Sequence, residues 1–122
     1  MKKVFVSLSL VLAAFLFAIG TLYSAPPKQI KIAHKEIFKK LRKSPTPFNH
    51  EAHVKYVGEK NCVKCHHTYK GEGEPKPCAA CHEKRKKGKK LSLKNAFHKQ
   101  CKGCHRKSGK KTAPTRCKGC HP

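Results

Sequence analysis

The chain has 122 residues, 29 of them Lys or Arg against 6 Asp or Glu, and carries a formal charge of +23. That length bounds it to one small domain, and the charge opposes compaction through self-repulsion. Over residues 26–122 only 12 side chains are Leu, Ile, Val or Phe, too few for side chains alone to build a core, so disulfides, metals or cofactors must supply it.

Residues 1–25 read as a secretory signal peptide: Lys2 and Lys3, an apolar stretch over residues 4–19 broken only by Ser7 and Ser9, then small and turn-forming residues. Cleavage is expected at about residues 20–25, which places the remaining chain in the periplasm. Left uncut, the apolar run extended to Tyr23 approaches the roughly 20 residues of a membrane span, and the chain would touch the membrane through it. Residues 26–47 form a basic lead-in. Ile30, His34, Phe38 and Leu41 recur there at helical spacing, so a short amphipathic helix is expected, stopped by Ser44-Pro45-Thr46-Pro47. His34 reads as an exposed residue of that helix. A second helix is expected to start near Ser92 and carry His98 toward the motifs that follow, with loops elsewhere.

From residue 48 to 122 the chain is organised by cysteine. All eight cysteines fall into four CxxCH units: Cys62-Val63-Lys64-Cys65-His66, Cys78-Ala79-Ala80-Cys81-His82, Cys101-Lys102-Gly103-Cys104-His105 and Cys117-Lys118-Gly119-Cys120-His121. The spacing suits c-type haem, because two thiols add to the two vinyl groups while the next residue turns its imidazole to the iron. A disulfide framework gives no reason for a histidine after every second cysteine. Zinc sites pair two separated ligand doublets around one ion and do not repeat this pentapeptide intact. Residues 62–82 align without gaps on residues 101–121, so the domain is a duplicated two-haem unit with four haem c groups expected. The motif histidines His66, His82, His105 and His121 supply one axial ligand each. His34, His50, His53, His67 and His98 remain for the opposite faces, and the only methionine, Met1, leaves with the signal.

The chain resembles the class III multihaem cytochromes c, in particular the tetrahaem cytochrome c-three type. The resemblance rests on Phe48-Asn49-His50-x-x-His53 ahead of the first motif, the doubled His66-His67, and Ala96-Phe97-His98 before the third. It implies a small, loop-rich fold with a few short α-helices wrapped around four haems that form the core. It further implies that His50 lies opposite His66, His53 opposite His105, His67 opposite His82, and His98 opposite His121. His34 is then spare, or exchanges with His67. All four motifs here are CxxCH, whereas many family members lengthen the second and fourth.

The resemblance implies a periplasmic, low-potential electron carrier rather than an enzyme. It would take electrons from acidic redox proteins such as hydrogenase or formate dehydrogenase and pass them to a membrane multihaem complex, as in anaerobic sulfate respiration. The alternatives are a haem-dependent reductase with one open iron, or a subunit of a membrane-anchored or polymeric electron conduit. Basic residues concentrate at 28–43, 84–90 and 107–118. Export and the lack of a base-stacking motif argue against nucleic acid as their partner. An acidic partner is expected instead on the lysine-lined edge around the haem of the fourth motif.

Overall fold

The computed structural model describes residues 26–122; the expected signal peptide lies outside the described residues. Near the start, strand β1 (Gln29–Ile32) runs antiparallel to β2 (Thr46–Asn49), pairing Gln29 with Asn49, Ile30 with Phe48, Lys31 with Pro47 and Ile32 with Thr46. Branched Ile30 and Ile32 alternate with polar neighbours, which suits a pleated ribbon. Both strands are edges, so Pro47, which has no N–H to donate, is tolerated.

This ribbon replaces most of the helix expected from Ile30 to Leu41. Only one turn of it forms, α1 (Lys35–Phe38), bounded by two residues in positive-φ conformations, His34 at 53° and Lys39 at 56°. The same isoleucines satisfy a period of two as well as a helical period, and the partner strand at Thr46–Asn49 decides between them. The Ser-Pro-Thr-Pro segment is thus part strand rather than merely a stop.

Helix α2 (His50–Val57) occupies a segment expected to be loop. Its N-terminus is capped by Asn49, whose side chain accepts from the Ala52 N–H at 2.8 Å, and it ends at Gly58, where φ is 92°. The Glu51 N–H donates to the Lys28 carbonyl at 3.2 Å, tying the helix to the ribbon. His50 and His53, three residues apart, therefore share one helix face.

After α2 the chain makes two single 3-10 turns, Cys62–Lys64 and Cys78–Ala80, before helix α3 (Leu93–Ser108) and the one-turn helix α4 (Cys117–Cys120). The expectation of a helix starting at Ser92 holds: the Ser92 hydroxyl accepts from the Asn95 N–H at 3.4 Å, and Gly109, with φ 64°, closes the far end. Arg106 and Lys107 in the last turn face the negative end of the helix dipole. Among the described residues no helix is long and apolar enough to cross a membrane.

Leu93, fully enclosed, is the only buried apolar side chain among the described residues, with Ser92 beside it. The Leu93 N–H donates to the Glu83 carbonyl at 2.7 Å, which brings the start of α3 against the second cysteine motif. Protein side chains thus supply a single anchoring point and no continuous core. Leu93→Ala should destabilise the mature, cofactor-loaded protein by about 2–5 kcal/mol, read as a fall in the unfolding midpoint; a change within about 0.5 kcal/mol would show that this contact is not an anchor.

Candidate haem sites

Each cysteine motif folds as one helical turn. The N–H of the motif histidine donates to the carbonyl of the first cysteine, at 2.8 Å from His66 to Cys62, 2.9 Å from His82 to Cys78 and 2.8 Å from His121 to Cys117. The third motif, Cys101 to His105, is a turn of α3 itself. Thiols three residues apart on such a turn share a side, with the imidazole just beyond them. None of the eight cysteines is disulfide-bonded, and no group of three or more His, Cys, Asp or Glu among the described residues converges as metal ligands do.

The imidazoles are aimed from behind. The Nδ1–H of His66 donates to the Lys76 carbonyl at 3.1 Å, that of His82 to Leu91 at 2.9 Å, and that of His105 to Pro114 at 2.6 Å. His121 turns to the other end of the chain, donating to the Ser44 carbonyl at 2.7 Å with the Thr46 hydroxyl at 3.2 Å. A carbonyl can only accept, so Nδ1 carries the hydrogen and the Nε2 lone pair is left for a metal. These acceptors were not anticipated from sequence. Three of them lie 9 or 10 positions downstream of their histidine, at the far end of the loop each motif opens.

Histidines outside the motifs meet the motif histidines from other elements. The His53 ring, on α2, lies 6.1 Å from that of His105 with 28° between their planes, and the His67 ring lies 6.0 Å from that of His82. The Nδ1–H of His53 donates to its own helix cap, the Asn49 carbonyl, at 2.7 Å. His98 is held below the usual histidine range, first by burial and then by the charges of Lys102, Lys94 and His121, so it favours the neutral, ligating form and lies within electrostatic reach of His121. His50 has Phe48 as its ring neighbour at 6.0 Å, and Phe48 also lies 4.4 Å from His53. A ring contact between His50 and His66 is not among those of the described residues.

His34 differs from its sequence reading. Its side chain is 22% exposed rather than open to solvent, its Nδ1 lies 2.9 Å from Glu36 Oε1, and its ring sits 5.5 Å from Phe97. The left-handed backbone at His34 turns the ring inward onto α3, away from the helical stripe expected for it.

The donor set suits haem. Two metal–imidazole bonds of roughly 2 Å, plus the distance from each nitrogen to its ring centre, give a centroid separation of about 6 Å, the value found for both ring pairs. One cleft is lined by Cys78, Cys81 and His82 of the second motif together with Cys65, His66 and His67. Both thiols and the imidazole of the second motif thus border one space with His67. Burial pushes the Cys101 thiol up to about 11, with Cys65, Cys120, Cys78 and Cys104 adding to the shift, and burial also raises Cys65 and Cys78. Cysteines of all four motifs therefore gather in one region. Burial favours the neutral forms of Cys101, Cys65 and Cys78, and a thioether carries no charge to oppose that burial.

Motifs three and four are mechanically joined by Pro114. Its carbonyl orients His105, while a Cβ added at Gly119 would come within 2.7 Å of the Pro114 Cβ; Gly103, at the same position of the third motif, has nothing within 4 Å. Gly119→Ala should therefore lower the unfolding midpoint and perturb the haem spectrum, whereas Gly103→Ala inside α3 should be neutral or stabilise by up to about 1 kcal/mol. Equal effects of the two substitutions would refute the Pro114 contact.

A sequence model described as the class III cytochrome C family matches residues 26–121. A comparison with curated proteins returned no match. Among solved structures, the chain is similar to the sixteen-haem cytochrome from Desulfovibrio gigas, with a TM-score of 0.59, 25% identity, and 91% of this chain covering 26% of that one. It is also similar to the high-molecular-weight cytochrome c from Desulfovibrio vulgaris (Miyazaki F), solved in the presence of zinc ion, with a TM-score of 0.58, 26% identity, and 83% of this chain covering 22% of that one. A nonahaem cytochrome c shares the fold at a TM-score of 0.59 and 24% identity, with 78% of this chain covering 38% of that one. The chain thus spans between about a quarter and two fifths of the structures it matches. Family match, paired thiols and aimed imidazoles lead to one conclusion: the chain belongs to the class III cytochrome c family, electron-transfer proteins with covalently bound haem c.

Proposed function

We propose that the chain is a periplasmic, low-potential electron carrier with four haem c groups, each iron held between two histidines. The observation that carries this reading is the common pose of the four motif imidazoles, Nδ1 clamped by a backbone carbonyl and Nε2 free. The 6 Å ring pairs support His53 with His105 and His67 with His82 as axial pairs. The electrostatic reach between His98 and His121 supports a third pair, and His50 with His66 is proposed as the fourth. Haem supplies the one-electron chemistry when bound, and its apolar faces supply the core that the side chains lack.

The chain's own residues do the rest. The cysteine turns fix each attachment point, and the carbonyl clamps hold the imidazole planes and strengthen them as donors, which favours low potentials. Eight histidines, His50, His53, His66, His67, His82, His98, His105 and His121, would suffice to hold four haem irons from both faces and would leave no open position for a substrate, which favours a carrier over a reductase. Excess lysines, including Lys107, Lys111 and Lys118 near the fourth motif, would steer an acidic redox protein such as hydrogenase or formate dehydrogenase, with a membrane multihaem complex as the acceptor. A second reading, a unit within a larger conduit, is supported by the partial coverage of much longer multihaem chains.

An optical and electron-paramagnetic-resonance redox titration of protein from a host that matures c-type cytochromes tests the proposal. Four low-spin haems per chain at low potential are expected; a high-spin iron that binds carbon monoxide would bring the reductase reading forward. His98→Met should raise one of the four potentials by on the order of 100 mV and leave the other three nearly in place. A titration unchanged by that substitution would remove His98 from the ligand set.

A further inference from the structure

Between the two repeats the chain makes a small projection that neither repeat contains. The Glu83 carbonyl accepts from the Leu93 N–H at 2.7 Å, closing its base. Further out, Lys87 and Lys90 exchange both backbone hydrogen bonds, at 3.2 and 3.0 Å, around Gly88, whose φ is 55°. Every residue from 84 to 90 is exposed, while the returning leg runs into the buried Ser92 and Leu93. The projection is therefore a closed finger on an anchored base.

Its sequence is Lys84-Arg85-Lys86-Lys87-Gly88-Lys89-Lys90. Lys87 reaches Glu83 at 3.3 Å, and among the described residues the other five basic side chains have no ion pair. Mutual repulsion would splay such a run in a free chain; here the backbone bonds and the Leu93 anchor hold the charges together. The finger also joins directly to a proposed haem ligand. The carbonyl that clamps His82 belongs to Leu91, the residue after the finger, and His82 itself precedes Glu83. A partner seated on the finger is thereby seated beside the second motif.

We infer that residues 84–90 form a docking finger for an acidic redox protein and make the haem of the second motif a port for electrons, separate from the lysines around the fourth. The inference rests on the carrier reading above. A carboxylate-bearing protein is favoured over an anionic bilayer because the finger offers no apolar anchor: among the described residues the exposed large apolar ones are Ile30, Tyr56 and Val63, all outside it. Such a partner would neutralise charge that the fold itself leaves unpaired, and the encounter would be fast, short-lived and sensitive to salt.

The test uses the haem-loaded protein and an acidic flavodoxin as the probe. The parent is compared with a K84Q/K86Q/K89Q variant, and a K107Q/K111Q/K118Q variant serves as the fourth-motif comparison. In stopped flow at low ionic strength, the finger variant should accept electrons from reduced flavodoxin about 10-fold more slowly than the parent, the gap closing to about 2-fold at high salt. In an NMR titration, the flavodoxin-induced shifts of the second-motif haem methyls should vanish in the finger variant and survive in the other. An unchanged rate, or shifts confined to the fourth-motif haem, would overturn the proposal. An unchanged rate with a shifted second-haem potential would instead assign the lysines to propionates. Loss of binding to phosphatidylglycerol vesicles with the flavodoxin rate intact would assign them to a bilayer. Haem count and low-spin spectra, read first on the parent, separate these outcomes from failure of the carrier reading itself, which would show there and not in the comparison of variants.

Discussion

An imidazole that gives its Nδ1 hydrogen to a fixed carbonyl has its plane, tautomer and Nε2 lone pair set at once, and this arrangement recurs at all four CxxCH turns. The rest of the structure is arranged to provide it. The loops that follow the first three motifs return to present a carbonyl, and Ser44 does the same for His121 across 77 positions of sequence, with the Thr46 hydroxyl alongside. Carbonyl acceptors need no particular side chain, so the loops can be filled with lysine, glycine and proline at little cost to the site.

That freedom explains how so polar a chain holds a defined shape. One buried leucine anchors α3, and a capping asparagine orders α2. Several further ties between distant segments are polar. The Gln100 side chain donates to the Lys64 carbonyl, and Lys110 sits 4.0 Å above the Tyr56 ring. The Ser44 hydroxyl donates to the Pro122 carbonyl. Such contacts are modest individually. Covalently attached planar cofactors would convert them into a stable fold by adding large apolar faces at fixed points.

The charge follows from the same economy. Lysines neither fill the interior nor ligate metal, and the fold leaves most of them at the surface, where a field of one sign governs which partners approach. Where the backbone gathers them on an anchored turn, as in residues 84–90, the field becomes local.

How much was legible beforehand depends on distance along the chain. The cysteine turns, the motif histidines and the α3 start at Ser92 could be read directly, because each is set by residues within about four positions of one another. The isoleucines near the start misled, since Ile30 and Ile32 fit two periods and only pairing with Phe48 and Thr46 selects the strand. Helix α2 was missed because its cap, Asn49, precedes a short and mostly polar segment with weak periodicity. His34 illustrates the limit: nothing local announces the left-handed turn that lays its ring on Phe97. The sequence by itself determined the chemistry of attachment, the repeat and the excess of positive charge, since these are local or compositional. Only the tertiary structure decided which carbonyl clamps each imidazole and brought the rings of His53 and His105, and of His67 and His82, to about 6 Å, because those contacts join segments whose approach depends on the whole chain closing.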